Sequence, residues 1–332
     1  SDSTRLVTGG GFTTGFENEM DFFTMSSLGN ATDFGNLTRS SNRLTAFADS
    51  TRGVWAGGNP STNVIEYATI QSAGNTVDFG DLTVAGRQSV GGASSSTRGL
   101  IFGGLSGSDP YTYHNIIDFV TIATTGNATD FGDDAKIRQE NYASFSSSTR
   151  GINAGGYNPA AFSDIHYFTF ASQGGMSDFG DLRTAVYSNA GCGNNVRGLS
   201  GGGTIGAPTN PHSAAIEYVN IASTGNASVF GSLVAKPPHM NGASYLGSGI
   251  ASPTRGMWHG GNAGPDTPNV RTIEYVTIST LGDAVNFGEM SKRNSHTGCS
   301  NSTRGLIVAG QNPSNINTIE FITIATEGNA TD

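Results

Sequence analysis

The sequence lacks most of what the alternatives to a β fold require. Only two cysteines, Cys192 and Cys299, occur in 332 residues, too few for a disulfide framework, so the redox compartment stays open. Lysine appears three times (Lys136, Lys236 and Lys292), which excludes a basic run able to follow phosphates or an anionic bilayer. Seventeen Lys and Arg against 26 Asp and Glu leave a formal charge of −9, so nucleic acid is not an expected partner. No apolar stretch reaches the roughly 18 residues of a membrane-spanning helix, and no membrane insertion is expected. The chain opens at Ser1 with neither Met nor an apolar leader, so its start reads as processed, excised or renumbered.

What is present is glycine, 48 residues of it, with 36% hydrophobic and only 13% charged side chains. That balance suits turns and close backbone approach, and it favours an all-β fold. One unit then recurs, opened by Arg5, Arg52, Arg98, Arg150, Arg197, Arg255 and Arg304 at spacings of 47, 46, 52, 47, 58 and 49 residues. A typical copy runs from TRGVWAGG at Thr51 through VIEYATI at Val64 and AGNTVDFGDL at Ala73 to RQSVGGASS at Arg87. Each piece is strand-length and bounded by Gly, Asn, Ser or Pro. Four strands in about 47 residues match a propeller blade, because a lone four-stranded sheet cannot bury both faces. The expectation is a single seven-bladed β-propeller over residues 1–332. Its strands are numbered one (RQSVGGASS), two (RGLIFGG), three (NIIDFVTI) and four (ATDFGDL), with strand one innermost.

Comparing the copies assigns roles. Five residues before the repeat Arg stand Phe47, Ala93, Phe145, Cys192, Ile250 and Cys299, each preceded by Ala, Gly or Ser. This reads as an apolar inward row, and it makes both cysteines unbridged core residues with no base placed to activate a thiol. Strand three carries an acid and then an aromatic: Asp21 and Phe22, Glu66 and Tyr67, Asp118 and Phe119, Glu217 and Tyr218, Glu274 and Tyr275, Glu320 and Phe321. His166 with Tyr167 breaks the acid column. One Arg and one carboxylate per blade predict one structural ion pair per blade, using these acids or the Asp of DFG. Sevenfold copying makes the carboxylates alike, whereas acid–base catalysis needs two in different environments, so no catalytic residue is assigned.

Other motif letters carry no chemistry. The double Gly that ends strand two is followed by no helix able to hold a phosphate. The DFG triplets at Asp33, Asp78, Asp130 and Asp178 lack the rest of the kinase signature. The Gly-Asn turns at Gly29, Gly74, Gly126, Gly225 and Gly328 suit positive φ, and the acceptor-like triplets at Asn30, Asn127, Asn226 and Asn329 coincide with that turn. None of the six histidines has a metal-ligand spacing and no Asp-rich calcium loop occurs, so neither metal nor cofactor is expected.

Loops joining strands two to three and four to one fall on one face and vary from copy to copy, while the opposite face keeps uniform STRG and GNA turns. Binding residues concentrate where a rigid scaffold varies its loops. The candidates are Tyr111, Tyr113 and His114 in 105–117, Tyr157 and Phe162 in 157–165, His212 in 204–216, and His239 and Tyr245 in 236–249. Aromatics among Asn, Ser and Gly suit sugar stacking or adaptable protein contacts.

The order of a small and apolar first strand, an apolar strand ending in GG, and an acid followed by Tyr or Phe resembles kelch repeats of galactose-oxidase-type propellers over essentially the whole chain. It departs where the kelch strand-four Trp is Phe34, Phe79, Phe131, Phe179, Phe230 or Phe287. The copper site of that group is not carried over, because the repeat column already accounts for both cysteines. STRGLIFGG and TIATTGNATDFGDD are also similar in wording to repeats of virion structural and tail-fibre proteins of tailed phages of marine cyanobacteria. That resemblance implies a non-catalytic adhesion module of a virion or the extracellular space, touching host surface glycan, a receptor or other virion proteins. The alternatives are an intracellular kelch-type scaffold, cytoplasmic, and a carbohydrate-active or copper enzyme. The first copy begins at strand two and the last stops inside strand four, so the expectation is that more chain, or a partner, completes the first blade.

Overall fold

A computed structural model of the chain describes residues 4–27, 29–107, 110–137, 143–206, 212–234, 248–261, 270–293 and 296–332. Those residues form strands and turns and no helix. Seven antiparallel sheets follow one another along the sequence, each ordered as its strands occur in the chain. The fold is a seven-bladed β-propeller. Blade 2 shows the pattern, with strands Thr45–Ala48, Arg52–Ala56, Val64–Thr69 and Val77–Asp81. Blades 2 to 6 have four strands; blade 1 has three (Arg5–Phe12, Phe16–Thr24 and Thr32–Asn36), and blade 7 has three (Thr297–Ser300, Arg304–Val308 and Ile319–Thr323). A bridge between Phe321 and Thr331 follows the third strand of blade 7.

The chain divides into two compact units, Ser1–Gln139 with Thr169–Met176, and Glu140–Phe168 with Ser177–Asp332. In the first unit one apolar cluster joins Phe47, Val54, Ile65 and Phe79 of blade 2 to Ile101 and Val120 of blade 3. In the second, Leu199, Ile216 and Phe230 of blade 5 pack with Trp258 and Val276 of blade 6. Strand two is buried on both faces after its Arg, as the apolar runs of RGVWA and RGMWH require. Its double Gly turns away with positive φ in every copy, from 59° at Gly260 to 142° at Gly11, and Ala309 at 56° is the exception in blade 7. Glycine enters that region without a Cβ penalty.

The DFG triplet is structural. In blade 2 the register slips between Ile65 and Glu66, so Phe79 is skipped and Gly80 takes a φ of 150°. A Cβ on Gly80 would lie 2.4 Å from the Gly126 carbonyl oxygen of blade 3. The Asp or Asn of the triplet accepts the amide of its own Gly, as at Asp33, Asp130, Asp178 and Asn286, the short Asx turn that suits a bulge. The next Gly-Asn turn then docks on this outer strand: Gly74, Gly126, Gly225, Gly282 and Gly328 donate to the carbonyls of Phe34, Phe79, Phe179, Phe230 and Phe287. The Asn is there for its acceptor and not for positive φ. Asn75, Asn127, Asn226 and Asn329 accept amides of the preceding blade through Oδ1, and Asp283 does the same in blade 6. Each turn thus covers an edge that would otherwise be free to pair with another chain.

The expected ion pairs form with different partners. Every repeat arginine (Arg5, Arg52, Arg98, Arg150, Arg197, Arg255, Arg304) lies 4.3 to 4.9 Å from the ring centroid of its own strand-three aromatic. Six of them donate to the carbonyls of Ile70, Ile122, Phe170, Ile221, Ile278 and Ile324. In six blades the same ring also makes a T-shaped contact with the DFG-column Phe, at 5.8 to 6.1 Å from Phe22–Phe34 to Tyr275–Phe287. Strand register causes the reassignment: Arg52 pairs with Thr69, so Glu66 lies opposite Trp55.

The acids of blades 2, 3, 5, 6 and 7 instead staple those blades to the one before. Glu66 accepts the amide and hydroxyl of Thr38, Asp118 those of Thr83, Glu217 the Arg183 amide, Glu274 the Val234 amide, and Glu320 the amide and hydroxyl of Ser291. Their cations are arginines of the same segments: Arg39 3.9 Å from Glu66, Arg87 3.3 Å from Asp118, and Arg293 on Glu320. The apolar row also turns out differently. Phe47, Phe145, Cys192 and Ile250 lie against Gly99, Gly198, Gly256 and Gly305 of the following blade. At these four positions the Gly directly after the repeat Arg is therefore the floor on which the previous blade packs. Cys192 and Cys299 are free thiols, raised by burial to about 12 and about 11.

Candidate functional site

The variable loops pair with one another on the strand-two-to-three and four-to-one side. Asn42 bridges Asn59, Thr62 bridges Arg87, and Gln88 bridges Leu105. The blades thereby hold the loops through backbone hydrogen bonds, and two groups of the candidate residues come together, one in each unit.

In the first unit the strand-two-to-three loop of blade 3 forms a small hairpin, Leu105–Ser106 paired with Thr112–Tyr113. Leu105 exchanges both backbone hydrogen bonds with buried Gln88, which ties the hairpin to the blade. Tyr111 stands at its tip with 44% of its surface exposed, and Tyr113 is half-buried. His114 Nε2 lies 2.7 Å from Ser106 Oγ. Burial, and then the positive charge of Arg87, lower its pKa, so the imidazole favours its neutral form.

In the second unit Tyr157 and Phe162 (blade 4) and His212 (blade 5) belong to one patch. The Tyr157 ring lies 5.0 Å from that of Tyr187, tilted by 54°. Tyr187 exchanges backbone hydrogen bonds with Thr204 at 3.1 and 2.7 Å. Thr204 in turn bridges His212, whose Nδ1 is 3.4 Å from the Thr204 hydroxyl. The loop holding Tyr157 closes through Phe162 N to Gly156 O, 3.0 Å, and Gly206 meets Ala161 from the neighbouring loop. All four rings are half-buried.

Tyr187 was missed by sequence reasoning. It lies on a strand-four-to-one loop of the same variable face, so the criterion that selected Tyr157 applies to it equally. His239 and Tyr245 lie outside the described residues. Beside Tyr187, the Ser188 hydroxyl is buried and makes no hydrogen bond among the described residues. A polar open cleft of about 300 Å3 lies between the first strands of blades 4 to 7, with Ser144, Phe145, Cys192, Ile250, Cys299 and Ser300 in its wall. Its thiols are protonated at neutral pH, and Cys192 is spent on packing. Among the described residues no three His, Cys, Asp or Glu side chains gather as a metal site, and no helix is long and apolar enough to cross a membrane.

No protein-family model and no curated protein matches the chain. A solved structure titled "Structure of YjhT" superposes with a TM-score of 0.66 at 12% identity, covering 88% of this chain and 97% of that one. Identity that low speaks to architecture and not to ligand. With seven sequential antiparallel sheets and this neighbour, the chain is a seven-bladed β-propeller.

Proposed function

We propose that the chain is a non-catalytic binding propeller that engages a surface glycan or protein through its variable loops. The observation that carries this reading is the Tyr157–Tyr187–Phe162–His212 patch, in which loop aromatics from two blades are held by backbone pairing to an interlocked scaffold. Aromatic rings with few rotatable bonds lose little entropy on contact, and their faces stack on the apolar faces of sugars as well as on protein side chains. Tyr111 and Tyr113 on the blade 3 hairpin offer a second contact of the same type. The similarity of repeat wording to virion structural and tail-fibre proteins supports placing the module on a phage particle, facing the host. Many copies on one particle would turn weak contacts into avidity.

The test is binding of the purified, labelled chain to candidate host cells and a panel of surface polysaccharides. Saturable binding is expected, reduced at least about tenfold by Tyr157→Ala or Tyr187→Ala, the loss of one well-packed aromatic contact. Binding that survives both of these variants and Tyr111→Ala would refute the loop-face reading.

A further inference from the structure

Blades 6 and 7 meet through a pair of buried histidines. His259 ends strand two of blade 6 (Arg255–His259), and His296 directly precedes strand one of blade 7 (Thr297–Ser300). His259 Nδ1 and His296 Nε2 are 2.9 Å apart, their ring centroids are 5.0 Å apart, and their residues are 0% and 7% exposed. A hydrogen bond at that distance needs one nitrogen to donate and the other to accept, so at least one ring is neutral. Gly260 makes room for the partner ring, since a Cβ there would fall 2.5 Å from His296 Cε1. Between blades 2 and 3 the corresponding positions are Ala56 and Val90, both in the apolar cluster. Between blades 4 and 5 they are Ala154 and Asn189, joined by an amide-to-carbonyl hydrogen bond. The contact between blades 6 and 7 has titratable rings where those two have none.

The surroundings oppose protonation. The Arg293 side chain is fully buried, donates to the Ala309 and Thr318 carbonyls at 2.8 and 2.9 Å, and pairs with Glu320, with the negative charge of Asp332 also acting on it. Met290, which also approaches Gly260 at the contact, is uncharged. His259 Nε2 has no hydrogen-bond partner among the described residues, so a proton added there would be buried and unsolvated.

We propose that the His259–His296 contact is an acid-sensitive latch between blades 6 and 7, closed while both buried rings are neutral and opened when acid forces a charge onto one of them. Burial first, then His296 and Arg293, hold His259 well below the ordinary imidazole range. A depressed folded pKa contributes stability that is present above the unfolded value of about 6.5 and lost as pH falls below it. For one imidazole kept neutral in the fold, the opening equilibrium at pH 5.0 rises about thirtyfold over that at neutral pH. The segments released are the turn at Gly260–Gly261 and the entry to Thr297, both on the variable-loop side.

Hydrogen exchange of the full chain between pH 7.5 and 5.0, corrected for intrinsic rates, tests this. Amides of 255–259 and 297–300 should lose protection about thirtyfold more than those of Arg98–Phe102 in blade 3. The double variant His259→Ala, His296→Val, which installs the residues found between blades 2 and 3, should lose that pH dependence. Imidazole NMR titration of the unaltered chain gives a second readout should the variant not fold: His259 should not titrate near 6.5. An ordinary titration there, or the same pH slope in the variant, would overturn the proposal.

Discussion

Asp118→Ala tests how the blades are held together, because the aspartate and its arginine partner are sealed. The side chains of Asp118 and Arg87 are both 0% exposed, with Nη1 3.3 Å from the carboxylate. Asp118 also takes the amide of Thr83 at 3.3 Å and the Thr83 hydroxyl. Burial lowers the Arg87 pKa and the Asp118 charge offsets that. Removing the carboxylate strands a buried guanidinium, which costs about 3–5 kcal/mol, and orphans the Thr83 amide for about another 1 kcal/mol. Urea denaturation should therefore show a loss of about 4–6 kcal/mol in Asp118→Ala. Adding Arg87→Met should recover most of it, since a buried pair replaced by apolar groups of similar volume is often close to neutral. A single-variant loss under about 1 kcal/mol, or a double variant at least as destabilised as the sum of the two singles, would refute the staple.

Gly80→Ala should cost about 3 kcal/mol or more by denaturation, from a strained φ of 150° and a Cβ 2.4 Å from the Gly126 oxygen. Gly74→Ala, with nothing within 4 Å of its Cβ, should stay within about 0.5 kcal/mol. Asn226→Ala should cost about 1 kcal/mol by losing the acceptor for the Asp181 amide, 3.0 Å away. Asn226→Asp should be nearly neutral in the same assay, because Asp283 already accepts the Ser232 amide at 2.9 Å in the equivalent place.

Much of the scaffold was legible because it is written in local periods. The Arg-to-Arg spacing, the four strand-length pieces and the double Gly report strand content and turn conformation, which depend on near neighbours in the chain. The candidate site was legible only in part. Tyr157, Phe162 and His212 were found from their place in variable loops, whereas Tyr187 entered the patch through its pairing with Thr204.

The sequence by itself determined the all-β class, the seven copies, the structural character of the arginines and acids, and the free state of the cysteines. Each follows from composition or from a residue type recurring at one register. Only the tertiary structure decided which partner each residue takes. Arg52 lies over Tyr67 while Glu66 holds Thr38, and Phe47 packs on Gly99 of the next blade. His259 finds His296 across 37 residues. Those choices turn on strand register and on which faces of successive blades meet, which a repeat pattern, identical in every copy, does not encode.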